Sequence, residues 1–184
     1  AFEAYFNAEG ADDFRSSASA AGWIEFGLSG VDAKVAFSPH SDANGLLDEI
    51  GADIEQAESS VLFSLAFLGQ TTKGAIGPAL GRALERPKVH VMGIADARVK
   101  AGNLGLTVLT PDNRRKVVRA AALTGNVPPP FLTEPSGLSG PDGKQRGTRM
   151  HHKFPVLDFD KPTARVYLGS YNFSEPADDE NGEN

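Results

Sequence analysis

With 184 residues, 40% of them hydrophobic and 23% charged, the chain has the length of one compact domain with a real core and is short for two. It has no cysteine, which excludes disulfides, thiolate metal sites and a cysteine nucleophile. Lys and Arg number 18 against 24 Asp and Glu, a net charge of −6, which disfavours a protein that coats nucleic acid broadly but allows a local basic pocket.

The first segment, Ala1 to Ser19, spaces Phe2, Tyr5, Phe6 and Phe14 among acids and small residues as a short amphipathic helix does. Residues 1–32 read as the tail of a preceding repeat or as a linker, with a loop around Trp23 and Phe26. Lys34 to Phe37 reads as a short strand stopped by Ser38-Pro39. Asn44 is placed to cap a helix over 45–58, whose Leu46, Leu47, Ile50, Ile54 and Ala57 share a face. Val61 to Leu68 (VLFSLAFL) is nearly all apolar, the pattern of a central strand covered on both sides.

Lys73 to Glu85 has helical periodicity interrupted by Pro78, and Val89 to Ala95 is a second buried strand leading to Asp96. Asp112 to Leu123 is expected to be a helix with a basic face. Thr124 to Thr148 holds five Gly and five Pro in 25 residues and is expected to be a long loop, either disordered or functional. Two strand-like runs follow, Arg149 to Phe159 and Arg165 to Phe173, joined by the turn-forming Asp160-Lys161-Pro162-Thr163. Alternating strands and helices predict an α/β fold, a mixed and mostly parallel sheet with helices on both faces.

The polar residues of the last two runs carry the chemistry. Alternate side chains of a strand share a face, so His151 pairs with Lys153 and Ser170 with Asn172. A hairpin of the two runs would gather an imidazole, an ammonium, a hydroxyl and an amide, a set suited to a phosphate group. Asp158 falls on the opposite face of an unbroken strand and reads as a support. Lys144, Arg146 and Arg149 could draw a phosphodiester toward the set, or could simply be solvated. His152 points to the other face and has a structural reading; His40 reads as a loop residue, and Glu175, Asp178, Asp179 and Glu180 as a surface turn.

The order His151-x-Lys153-x4-Asp158, then Gly169-Ser170-Tyr171-Asn172, then Asn181-Gly182-Glu183-Asn184 resembles the HKD signature of the phospholipase D superfamily. The resemblance covers 33–184 and implies one phospholipase D-like repeat, truncated at its C-terminal end before a closing strand and helix. It implies a catalytic set of His151, Lys153, Asp158, Asn172 and Glu183. His151 would attack phosphorus or protonate the leaving oxygen; Lys153, Ser170 and Asn172 would bind the phosphate. Glu183 would orient a catalytic imidazole, as the Asp of a hydrolytic triad does. No cofactor and no metal are implied.

Ten residues separate Asp158 from Gly169, longer than the family's usual spacing, and Pro155 predicts an edge strand or a bulge. Family active sites use two HKD motifs, and only one is present here, since neither His40 nor His90 has a Lys two residues on. The second HKD repeat is therefore expected from upstream sequence or from a homodimer partner. The implied activity is phosphodiester hydrolysis through a covalent phosphohistidine, with a phospholipid favoured as substrate. The alternatives are a metal-independent endonuclease of the same superfamily and a non-catalytic repeat with a scaffold or binding role.

Overall fold

The computed structural model describes residues 2–40, 45–95, 116–119, 138–139, 145–146, 150–180 and 182. Its centre is a five-stranded mixed sheet built from β3 (Ser60–Leu65), β4 (His90–Ala95), β5 (Lys116–Arg119), β8 (Lys153–Leu157) and β9 (Arg165–Val166), in the order β5-β4-β3-β8-β9. The β3–β4 and β4–β5 pairs are parallel, whereas β3–β8 and β8–β9 are antiparallel. The pairing is thus balanced rather than mostly parallel, because the second half of the sheet is closed by a hairpin instead of further crossovers. Two-stranded antiparallel ribbons, β1 (Ile24–Glu25) with β2 (Lys34–Val35) and β6 (Leu138–Ser139) with β7 (Gln145–Arg146), stand outside the sheet. The Lys34 strand therefore belongs to a ribbon, and a short ribbon also occurs within the Gly- and Pro-rich 124–148 segment.

One face of the sheet is covered by α3 (Leu46–Gln56) and α4 (Ile76–Glu85). Leu47, Ile50 and Ile54 of α3 and Ile76, Ala79, Leu80 and Ala83 of α4 join Val61, Phe63, Leu65, Val91, Ala95 and Leu157 in one core. The predicted apolar face of α3 is the buried one. Gly45 precedes the helix in a left-handed conformation and makes no side-chain cap, and Asn44 lies outside the described residues. Pro78 is the third residue of α4 and costs no helical hydrogen bond, because the first four amides of a helix have no partner inside it. Gly93 allows the tightest approach in the sheet, since a Cβ there would sit 2.1 Å from Phe63 Cε2.

The other sheet face carries Leu62, Met92, Ile94, Phe154, Val156 and Val166, all half-buried or exposed. Helical cover is therefore complete on one face only among the described residues. Within the helix expected over 112–123, residues 116–119 form β5, and the rest of that stretch lies outside the described residues: Val117 and Val118 are β-branched and pair with Gly93 and Ile94 of β4, so sheet edge wins there over helical charge pattern. Pro155 is also not on an edge, because β8 lies between β3 and β9. Its carbonyl accepts from the Tyr167 amide, so its missing N–H faces the two-residue β9 and leaves the β3–β8 ladder intact.

The N-terminal segment forms two short helices, α1 (Phe2–Asn7) and α2 (Ala11–Arg15), in place of one. They pack against the chain's other end. Phe14 is buried, Arg15 donates to the Asp179 carbonyl of α5 (Glu175–Asp179), and the Tyr5 ring lies directly on Gly182. No described helix is long and apolar enough to cross a membrane.

Candidate functional site

The site starts from the β3–β8 register. Leu65 lies opposite Lys153, and the pairing runs one step past both strands through a hydrogen bond from the Ala66 amide to the His152 carbonyl, 2.9 Å. Continuing it sets Phe67 opposite His151, and their rings meet edge to face with centroids 5.4 Å apart. His151 and Lys153 thus project from the carboxyl end of β3, on the α3/α4 side, the end at which α/β sheets bind ligands.

Lys153 is buried, and its Nζ lies 2.9 Å from His151 Nδ1, 3.1 Å from Nε2 and 3.0 Å from the His151 carbonyl oxygen, to which it donates. The ammonium also stands 5.7 Å from the Phe67 ring centroid. His151 itself is exposed. A positive group held in a buried seat beside an accessible imidazole can bind an anion and offer a nucleophile or a proton at the same place. Phe67, which walls this pair, has no signal in the sequence beyond its membership of the apolar run.

The β8–β9 hairpin pairs Val156 with Val166 and adds one further bond, from the Tyr167 amide to the Pro155 carbonyl; residues 168–174 then leave the ladder, so the strand expected to run to Phe173 ends early and strand parity does not govern Ser170 and Asn172. Ser170 is exposed. Asn172 is half-buried, and its Oδ1 is buried without a hydrogen-bond partner among the described residues. An amide atom left in that state costs about 1–3 kcal/mol unless a ligand or water answers it. Glu183 lies outside the described residues, as do Asp96, Lys144 and Arg149.

Asp158 is separated from this group by the length of β8. It follows the strand in a left-handed conformation (φ 49°), so the parity of an unbroken strand does not govern it. Its carboxylate accepts from the amides of Glu58, Ser59 and Ser60 at 2.8–3.1 Å and from the Ser59 hydroxyl. Burial pushes its pKa up, but these donors outweigh burial and hold it below the ordinary carboxylate value. Asp158 anchors the start of β3 to the end of β8. The structure therefore separates it from the catalytic set in which the motif placed it.

His152 lies on the other face, with Nδ1 3.2 Å from the buried Ser64 hydroxyl. His90 is exposed at the start of β4. His40 is a loop residue, as its place after Ser38-Pro39 suggests, but a buried one, and its Nδ1 is 2.5 Å from Asp178 Oδ1, an acid of the supposed surface turn that forms α5. Nothing local in sequence announces a pair 138 residues apart. A groove of about 430 Å³ between α3 and α4, lined by Asp48, Glu55, Gly74 and Arg82 among others, shares no residue with the His151–Lys153 pair. Its Arg82 is already engaged by Glu55.

Among the described residues no three His, Asp or Glu side chains are grouped to hold a metal ion. Compared with models of known families and with curated proteins, the chain matches none.

Proposed function

We propose that this chain is a phosphodiester hydrolase of the phospholipase D type, working through a covalent phosphohistidine and without a metal ion. The observation that carries this reading is the buried Lys153 ammonium 2.9 Å from the ring of an accessible His151, at the start of β8. In the first step an imidazole nitrogen attacks phosphorus and the bond to the leaving alkoxide breaks. That alkoxide takes a proton from a second imidazole. In the second step the same imidazole takes a proton from water, whose oxygen displaces the histidine from phosphorus. His151 performs one of the two roles; its counterpart comes from a second HKD repeat, upstream or in a homodimer partner. Lys153 and Asn172 stabilise the negative charge on the non-bridging oxygens, and Glu183 orients an imidazole.

A phospholipid is the favoured substrate, with phosphatidic acid as product, because a net charge of −6 opposes approach to a polyanion. The test offers phosphatidylcholine vesicles and plasmid DNA side by side to wild type and to His151→Ala. Phosphatidic acid released by wild type alone is the expected result. DNA nicking that needs His151 would move the substrate to nucleic acid, and equal activity from both proteins would remove His151 from the chemistry. Lys153→Ala and Asn172→Ala should each lower turnover by roughly 10²–10³, as the loss of one oxyanion donor does.

A further inference from the structure

The turn that carries Ser170 and Asn172 lies beyond β9 and has no strand ladder to hold it. It is held by side chains. Tyr171 is buried, its ring meets Phe173 edge to face at 5.3 Å, and its hydroxyl donates to Asp178 Oδ1 at 2.8 Å. The same carboxylate oxygen is 2.5 Å from His40 Nδ1, and the His40 amide donates to the Asp178 carbonyl at 2.8 Å. The His40 and Tyr171 rings lie 5.8 Å apart. The loop before α3, remote in sequence, and the neighbouring Ser170–Asn172 turn and α5 therefore converge on one half-buried carboxylate.

Hydrogen bonds to an ionised carboxylate are stronger than neutral ones, and a network of them behaves as a unit. Tyr171 stands between the two residues of the turn assigned to phosphate. The Asn172 amide next to it has its oxygen buried without a partner among the described residues; that oxygen can only accept, so it is the Nδ2 donor of the same amide that would meet a phosphate oxygen. We infer that His40, Asp178 and Tyr171 form a clasp that positions the Asn172 amide for a phosphate group. They are positioning residues, and the inference rests on the phosphodiesterase reading above.

The test is titration of the chain with inorganic phosphate, followed by the Asn172 side-chain amide resonance, alongside thermal melting. Wild type should bind phosphate and Lys153→Ala should lose it. Asp178→Ala should weaken binding about tenfold and Tyr171→Phe by roughly threefold, the scale of one or two lost hydrogen bonds. Asp178→Asn, which keeps an acceptor in place, should recover most of the affinity. Leu80→Ala, a core change in α4, should lower the melting temperature without weakening phosphate binding.

Tyr171→Phe removes one hydroxyl and keeps the ring, so it stays informative if Asp178→Ala does not fold. Wild-type affinity in Tyr171→Phe and in folded Asp178→Ala would overturn the clasp and leave it a stability feature. Failure of wild type to bind, or full binding by Lys153→Ala, would overturn the phosphate site itself and the clasp with it.

Discussion

Lys153 and Asp158 sit five residues apart in one motif and do opposite work. Lys153 brings a charge to the open end of β8, whereas Asp158 has its charge consumed by three backbone amides at the closed end. Asp158→Asn should therefore cost about 1–3 kcal/mol of stability, the loss of charge-assisted bonds to buried amides, with phosphate affinity unchanged. Urea unfolding checks the first part, and phosphate titration the second. Because its pKa is lowered on folding, the unfolded chain takes this proton first. The stabilisation is complete above the ordinary carboxylate value of about 4 and is lost as pH falls through and below it. Asp158→Asn should flatten that acid slope. An unchanged slope would mean that the anchor contributes nothing.

Among the elements, the sheet centre is set by Gly93 and Phe63, which occupy paired positions on β4 and β3. A Cβ at 93 would overlap the Phe63 ring, whose position is fixed by the α3/α4 core. Gly93→Ala should destabilise by about 1–3 kcal/mol through overpacking, and Phe63→Leu in the same chain should recover part of it. Additive losses in chemical denaturation would deny the contact.

Elements with strong periodicity were legible in the sequence. α3 with its C-cap Ala57 buries the five-residue face that the spacing marks, and the first five residues of VLFSLAFL supply the central strand, which ends at Leu65 instead of the expected Leu68, where a 3-10 turn begins. Elements chosen by pairing were not. Lys116–Arg119 looks helical from its charges and is held as strand by β4, and β1 exists only through β2. Pro155 points the wrong way for the same reason: its tolerance depends on which neighbour its nitrogen faces.

At the scale of the molecule, the α/β class follows from the sequence, whereas the gathering of α3 and α4 on one face, where cover of both was expected, and the balance of parallel and antiparallel pairs are settled by how the elements dock. The site shows the same division. His151 and Lys153 meet because strand parity puts them together, and parity can be read from spacing. Phe67 and the His40–Asp178 contact are products of tertiary packing, at sequence distances of 84 and 138 residues, and carry no local signal.

The most direct test of the phosphodiesterase assignment is hydrolysis of a chromogenic phosphodiester in excess EDTA by the wild-type chain and by His151→Ala. Turnover that survives EDTA and vanishes in His151→Ala is the predicted result. Turnover that EDTA abolishes, turnover retained by His151→Ala, or none from a folded chain that pairs with its second repeat would contradict the assignment.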